Sequence, residues 1–245
     1  MKAATGKALL EWEDHPSDAI AFWPQGKMLL GHNGVSLAAT TLPPAKANTK
    51  VKARDGLIGG GIGRIAAGVA VPSKGTDYAY LLHADNTQKN GAIVVRGDLQ
   101  MELRGHTGTC FAVAWSPDGK TVATGGDDGK IVVWSGKEYD GKRDLQKDYS
   151  EMREIPTEDS RVRALAFAPD GKTLYSGSAS PTAITGWDLT TGKSTFHQTI
   201  GAPAVTSLSF SPNGQSLLVA TGNPYGNGTA EGRVEIWQMG TEPRR

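Results

Sequence analysis

Apolar and polar residues alternate in five separate segments of the chain, and each segment runs into a proline. The segments are DAIAF, RIAAGVAV, CFAVAW, VRALAF and AVTSLSF, and the prolines are Pro24, Pro72, Pro117, Pro169 and Pro212. A second apolar segment follows each proline, and a third follows after a further turn. A period of two, interrupted by Gly, Pro, Asn and Asp, is typical of antiparallel strands joined by tight turns. The pattern therefore predicts five all-β units.

The turn after each first strand has a recurring chemistry, seen most clearly in SPDGK, APDGK and SPNGQ. Proline fixes φ at one turn position, and glycine tolerates a positive φ at another. Successive prolines of this register are 43 to 52 residues apart. A period in the forties with several strands in each period predicts a β-propeller. We expect the first strands near residues 18–23, 64–71, 110–116, 162–168 and 204–211.

One unit, residues 103–135, carries three further signals at fixed spacing. They are the pair Gly105-His106, the turn Asp128-Gly129, and Trp134; the next unit ends in Trp187-Asp188 and the last in Trp237-Gln238. These residues resemble the WD40-repeat family, in its bacterial style. The resemblance implies an all-β, WD40-type β-propeller of about five repeats, with four-stranded antiparallel blades. In that family each repeat supplies the fourth strand of one blade and the first three strands of the next.

The resemblance also implies a domain plan. Residues 1–245 are expected to form a single propeller domain, with blades near 14–54, 55–104, 105–157, 158–200 and 201–240. Residues 8–12 are expected to pair with the last strand, near 233–238, and so to close the ring and remove its exposed edges. The alternative is that the chain is part of a longer propeller, because any whole number of repeats cut at this point gives the same apparent closure.

Four residues fall where the family has a hydrogen-bonded tetrad: His106, Thr124, Asp128 and Trp134. The resemblance implies that Asp128 holds His106, that His106 meets Thr124, and that Thr124 accepts the indole N–H of Trp134. Buried imidazole and indole groups need such partners. A Ser/Thr–His–Asp set also fits a catalytic triad, but burial between strands would keep a substrate from the hydroxyl. We therefore assign these residues a structural role and expect no catalytic residues.

Composition narrows the choice of partner. The chain has 26 basic and 25 acidic residues and a formal charge of +1, which gives no global field for nucleic acid or an anionic membrane. A single cysteine, Cys110, excludes an internal disulfide framework. No apolar run approaches a membrane span, and no signal peptide is visible, which favours a cytoplasmic location. We expect no cofactor and no metal, because the histidines lack ligand spacing and the motif G-x-G-x-x-A at 61–66 leads into a strand.

The resemblance implies a non-enzymatic scaffold that binds a protein or peptide. Loops on a rigid scaffold are where binding concentrates. In this chain the loops between second and third strands carry the insertions that differ most from repeat to repeat. We expect the partner site on the face of these loops, with His83, Asp85, Lys89, Tyr225 and Glu231 as candidate contacts. A second surface is the charged insertion at 136–154, which is expected on the opposite face.

Two other classes remain as alternatives. A five-bladed propeller glycoside hydrolase would need paired carboxylates at the central opening, and the acidic residues expected near it are Asp18, Asp55, Asp85, Asp159 and Glu231. They share no common register, which disfavours this class. A sugar-binding lectin would need equivalent pockets between blades, and the loops here differ from blade to blade.

Overall fold

The structure is a computed structural model. It describes residues 10–13, 19–22, 28–32, 37–41, 49–52, 65–70, 78–82, 90–96, 99–136, 151–158, 161–211, 213–223 and 232–239. Within these residues the chain forms twenty β-strands and no helix. The all-β fold expected from the sequence is confirmed.

The strands follow one another at short intervals along the chain. They are β1 (Leu10–Glu13), β2 (Ala19–Phe22), β3 (Met28–His32), β4 (Leu37–Thr41), β5 (Thr49–Lys52), β6 (Ile65–Ala70), β7 (Tyr78–Leu82), β8 (Asn90–Arg96), β9 (Leu99–His106), β10 (Cys110–Trp115), β11 (Thr121–Gly126), β12 (Lys130–Ser135), β13 (Glu151–Pro156), β14 (Val162–Phe167), β15 (Thr173–Ser178), β16 (Ala183–Asp188), β17 (Ser194–Thr199), β18 (Val205–Phe210), β19 (Ser216–Thr221) and β20 (Arg233–Gln238).

The described strands pair into five antiparallel meanders and one parallel pair. Sheet 1 has the order β2-β3-β4, sheet 2 the order β6-β7-β8-β9, sheet 3 the order β10-β11-β12-β13, sheet 4 the order β14-β15-β16-β17, and sheet 5 the order β18-β19-β20. The first strands of successive sheets lie side by side, from β2 through β6, β10 and β14 to β18. All five begin within one residue of the positions expected from the sequence.

The turn that follows β10 shows how this local sequence works. Ser116 Oγ donates to Asp118 Oδ1 at 2.6 Å, and the amides of Lys120 and Thr121 donate to Asp118 Oδ1 and Ser116 Oγ at 3.0 and 2.9 Å. Gly119 adopts a positive φ of 74°, which other residues reach only at a cost. The two side chains thus satisfy the turn amides, and the turn directs β11 back along β10.

Neighbouring sheets bury apolar side chains between them. Between sheets 3 and 4, one face of sheet 3 with Ala123, Ile131 and Val133 packs against Phe167 and Leu174 of sheet 4. Ala164, Ile184 and other residues of sheet 4 pack in the same way against sheet 5, which presents Val205, Leu208 and Leu217. The core of the molecule is therefore a series of layers between sheets, rather than one central cluster.

The expected closing strand is wrong. The strand lies at Leu10–Glu13, and it pairs in parallel with Thr49–Lys52 instead of joining Arg233–Gln238. Among the described residues, sheet 5 has three strands and β20 lies at its border. Period-two patterning identifies a strand but does not specify which edge it joins, so the pairing was not determined by the pattern.

The expected extent of the charged insertion is also corrected. Residues 151–156 form β13, the fourth strand of sheet 3, so the last part of the span 136–154 is regular sheet. Glu154 there accepts a hydrogen bond from Lys130 Nζ at 2.7 Å. Residues 137–150 lie outside the described residues. The blade boundaries and the number of blades in a complete ring stay predictions.

Candidate functional site

The four tetrad residues lie on elements of two neighbouring sheets. His106 ends β9, in sheet 2, whereas Thr124 and Trp134 lie on β11 and β12, and Asp128 in the turn between them, all in sheet 3. His106 Nε2 lies 2.7 Å from Thr124 Oγ1, and its Nδ1 lies 3.0 Å from Asp128 Oδ1. The imidazole and indole centroids of His106 and Trp134 are 6.5 Å apart. His106 thus forms hydrogen bonds from sheet 2 to two residues of sheet 3. The bond from the Trp134 indole to Thr124 stays a prediction.

Small residues make room for this histidine. A β-carbon on Gly105 would lie 3.1 Å from both Met152 Sδ and Val132 Cγ1, and one on Gly126 would lie 2.8 Å from His106 Nδ1. Contacts of this kind are too close for a larger residue without movement of its neighbours. The glycine before His106 and the one before the Asp128 turn therefore allow sheets 2 and 3 to approach closely at this point.

Asp128 is held in its ionised form. Burial of the carboxyl raises its pKa, but hydrogen bonds from His106 and from the amides of Thr107 and Lys130 outweigh that effect, so the pKa lies below its usual value. The Thr107 amide donates to Asp128 Oδ2 at 2.9 Å. Nearby, burial raises the pKa of the Cys110 thiol to about 12, and the charge of Asp128 adds to the effect. The cysteine thus stays protonated, and the carboxylate has a structural role.

In sheet 4 the residues equivalent to the tetrad form a smaller set of hydrogen bonds. Trp187 Nε1 donates to Ser176 Oγ at 2.8 Å. The turn after β15 has no aspartate. Ser178 supplies a hydrogen-bond acceptor there instead, since its Oγ accepts a hydrogen bond from the amide of Ala183 at 3.0 Å. His197, on the outer strand β17, lies 3.0 Å from Thr185 Oγ1 through its Nδ1. The equivalent tryptophan of sheet 5, Trp237, donates instead to Glu235 Oε2 at 2.8 Å.

The triad interpretation of the tetrad has no support in this geometry. Thr124 is 0% exposed, so no substrate carbonyl can reach its hydroxyl. Both ring nitrogens of His106 already form hydrogen bonds, one with Thr124 and one with Asp128. The arrangement can hold two sheets together, and it offers no open position for a reacting atom.

An open groove lies between sheets 3 and 4, at the end of the sheets where first strands turn into second strands and third strands turn into fourth. It has a volume of about 380 Å³ and is lined by Thr121, Val133, Ser135, Met152, Arg153, Gly171, Lys172, Leu189 and Thr190. Arg153 Nη1 donates to the carbonyls of Leu189 and Thr190 at 2.8 and 3.0 Å. These bonds fix a cation at the border of a partly apolar groove. The sequence analysis missed this groove, because it placed Met152 and Arg153 in the charged insertion rather than on a strand.

The candidate partner contacts cannot be placed. His83, Asp85, Lys89, Tyr225 and Glu231 all lie outside the described residues, so their clustering on one face stays a prediction. The same holds for Asp18, Asp55 and Asp159, which the hydrolase alternative would need. Of the glycine motif at 61–66, residues 61–64 are outside the description, and the strand β6 begins at Ile65. A strand there, instead of a helix, does not fit a dinucleotide site.

Over the described ranges, no group of three or more His, Cys, Asp or Glu side chains is placed to hold a metal ion. In the same part of the chain, no helix is long and apolar enough to cross a membrane.

Five successive antiparallel sheets, three of them four-stranded, whose first strands lie side by side, define the chain as a β-propeller protein. A family model described as "WD domain, G-beta repeat" matches residues 97–135, 150–184 and 194–238. The chain belongs to the WD40-repeat family. The resemblance seen in the sequence is confirmed in the part that carries the Gly-His and Trp-Asp signals.

Curated relatives match over about half of the chain. The small ribosomal subunit protein RACK1 of Schizosaccharomyces pombe is 28% identical over 144 residues, which are 55% of this chain and 39% of that protein. RACK1 of Medicago sativa is 29% identical over 58% of this chain and 43% of its own length. Coronin-like protein crn1 of Schizosaccharomyces pombe is 25% identical, over 64% of this chain and 26% of its own length. The matches thus span less than half of these relatives, and all three are eukaryotic, so a bacterial type of repeat gains no support from them.

The fold has a solved counterpart. A chain in a structure entitled "Crystal Structure of Mitotic Checkpoint Complex" superposes with a TM-score of 0.63 at 18% identity, over 90% of this chain and 60% of that chain. At this identity the likeness shows the fold alone.

Proposed function

We propose that this chain is a non-enzymatic scaffold that binds a protein or peptide partner. The WD40 repeats and the WD40-repeat relatives of this chain support a protein-interaction role. The observation that carries the proposal is the groove between sheets 3 and 4, with its apolar side chains and a cation held in place by two carbonyls. The buried tetrad supports a structural rather than a catalytic use of the chain's Thr–His–Asp set.

The groove suits a short peptide with a carboxylate. Lys172 is exposed, and Arg153 keeps part of its guanidinium beyond the two carbonyl bonds, so both cations border the open space. Met152, Val133 and Leu189 offer an apolar surface beside them. A combination of apolar contact with a few placed polar groups is typical of peptide-binding clefts. The competing location is the loop face predicted from the sequence, with Lys89 and Tyr225.

The experiment compares the groove with the predicted loop face. A partner captured by the intact chain is tested again with Arg153→Glu plus Lys172→Glu, and separately with Lys89→Glu plus Tyr225→Ala. We expect the first pair to reduce capture at least tenfold, an effect of about 1.4 kcal/mol, and the second pair to leave it unchanged. Arg104→Glu is the matched control, because Arg104 is exposed on β9, away from the groove.

The opposite result would assign the binding site to the loop face. If capture is lost with the second pair and kept with the first, the loop face is the binding surface and the groove is not. If hydrolysis of an oligosaccharide is detected with purified protein, the scaffold proposal is wrong and the glycoside hydrolase alternative gains its first support.

A further inference from the structure

Two cations border the groove between sheets 3 and 4 without forming an ion pair. Other basic side chains of the described structure pair with acidic ones, as Lys130 does with Glu154 at 2.7 Å. Arg153 binds backbone carbonyls instead, and among the described residues no carboxylate lies at ion-pair distance from Arg153 or Lys172. No acidic side chain is among the described residues that line the groove. An anionic ligand therefore meets two basic groups there and no competing carboxylate.

The two cationic residues both bind Leu189. The Leu189 amide donates to the Lys172 carbonyl at 2.9 Å, and Arg153 Nη1 donates to the Leu189 carbonyl at 2.8 Å. The carboxylates of the adjoining turns, Asp188 and Asp170, accept hydrogen bonds from amides of their own turns at 2.7 and 2.8 Å. The turn carboxylates thus have structural partners, and the two cations meet at one end of the groove.

Two hydroxyls reach the same groove from sheet 3. Thr121 on β11 and Ser135 on β12 lie directly opposite each other and both line the groove. Opposite side chains on one face of a sheet have β-carbons about 4.5–5.5 Å apart. Val133, two residues before Ser135, lies opposite Arg153 on β13, so the four residues share one face of sheet 3. Within the described part of the chain, no hydrogen bond involves the hydroxyl of Thr121 or Ser135, so both are available to a ligand.

We propose that the groove binds a phosphorylated side chain of its peptide partner, and that a carboxylate is the weaker ligand. This inference rests on the proposed function and names the ligand group of the same site. A phosphoryl group carries a charge of about −1.5 to −2 at pH 7 and three strong acceptor oxygens. It therefore matches two cations in charge, and it can accept hydrogen bonds from the hydroxyls as well. A carboxylate has one charge and two oxygens, and it leaves part of this donor set without a partner.

The four donors have different roles. Arg153 is held by two carbonyls, so its guanidinium is already in place when the ligand arrives, and it stays charged at any pH in use. Lys172 is exposed and supplies a second positive charge without a fixed direction. Val133 and Leu189 line the groove beside these groups, so the preferred peptide carries apolar residues next to the phosphorylated one.

The test compares three fluorescently labelled peptides on the full chain, by anisotropy at fixed ionic strength. They share the sequence Gly-Leu-X-Val-Gly, where X is phosphoserine, glutamate or serine. We expect the phosphoserine peptide to bind at least tenfold more tightly than the glutamate peptide, and the serine peptide to bind least. Inorganic phosphate should compete only at much higher concentration, because it makes no apolar contact. Equal affinity for phosphoserine and glutamate, or displacement by an equal concentration of inorganic phosphate, would overturn the proposal.

Removal of the hydroxyls tests what distinguishes the two anions. Thr121→Val plus Ser135→Ala should reduce the preference for phosphoserine over glutamate about tenfold, because the added donors are lost while both cations remain. Lys172→Gln should weaken both anionic peptides. The matched control is Thr199→Val, since Thr199 is exposed at the other end of sheet 4, and it should change neither affinity. A hydroxyl-free variant that keeps the full preference, with an unchanged urea midpoint, would contradict the proposal.

Phosphatase treatment separates this inference from the proposed function. Capture of the partner should be lost when the partner is dephosphorylated. If capture needs Arg153 and Lys172 but survives phosphatase, the phosphate inference is wrong and the groove remains the binding site. If the phosphoserine peptide binds in the groove but capture does not need the two cations, the groove is not the partner's site and the phosphate site stands.

Discussion

At the scale of single residues, His106 has the most consequential position in the described structure. It ends a strand of sheet 2, yet both of its ring nitrogens bind groups of sheet 3. Because Thr124 has no solvent access, loss of the imidazole leaves its hydroxyl without that partner in a place that water does not reach. The residue therefore contributes to the contact between sheets 2 and 3.

His106→Ala should lower the free energy of unfolding by about 1–3 kcal/mol, the usual effect of leaving a buried polar group unpaired. Trp134→Ala should cost more, about 3–5 kcal/mol, because it also opens a large cavity. Urea unfolding at neutral pH measures both. The matched control is His197→Ala, which removes an exposed histidine that also binds a threonine, and it should cost less. Equal, small effects for His106 and His197 would contradict the structural role of the tetrad.

The depressed pKa of Asp128 predicts a pH dependence with a definite sign. Because the folded-state pKa lies below the unfolded value, the stabilisation is fully present above the ordinary aspartate pKa of about 3.9. It is lost as the pH falls through the folded-state value. Urea midpoints of the native chain and of Asp128→Asn should therefore differ at pH 7 and converge in acid. A difference that stays constant down to pH 2 would show that the carboxylate charge contributes nothing.

At the scale of elements, close packing between sheets depends on two glycines. A β-carbon on Gly125 would overlap Val162 Cγ1, and one on Gly177 would overlap Val205 Cγ1. The same contact thus occurs twice, between sheets 3 and 4 and between sheets 4 and 5. In sheet 5 the equivalent residue is Ala220, on the face that no described sheet covers.

Gly125→Ala should destabilise the protein by about 1–3 kcal/mol, the range for overpacking a close-packed interior. Val162→Ala, combined with it, should recover part of the loss by making room. Gly201→Ala is the matched control, because nothing lies within 4 Å of a β-carbon there. Thermal or urea unfolding of the native chain, the two single variants, the double variant and the control measures the coupling. If the double variant is as unstable as the sum of the two single ones, the proposed contact is not the cause.

At the scale of the whole molecule, the order of the sheets could be predicted because it depends on local signals. The proline–glycine turns located all five first strands, and the alternating apolar segments located their partners. The pairing partner of β1 could not be predicted, because the alternating pattern of a strand does not specify which sheet edge it joins. Likewise the groove beside Arg153 arises from two sheets, and no single repeat contains it.

The pairing of β1 with β5 leads to a test at the same scale. Deleting residues 1–13 removes β1, and we expect the amides of β18, β19 and β20 to keep their hydrogen-exchange protection. Residues 49–52 should lose protection, because they lose their partner strand. If protection of β20 falls instead, the strand closes sheet 5 in solution, and the expectation of a closed ring is restored.

The tryptophan at the end of each third strand gives the molecule an optical label for every one of its last three sheets. Trp134, Trp187 and Trp237 occupy the same register position, but the first two are buried and the third is partly exposed beside a carboxylate. Their fluorescence should therefore differ in emission colour, with Trp237 the most red-shifted. Variants that keep one of the three, with the other five tryptophans of the chain changed to phenylalanine, would show in turn when each sheet separates from its neighbour. Stacked units can unfold one by one when each contacts only its neighbours, so the signal of Trp237 should change at the lowest urea concentration.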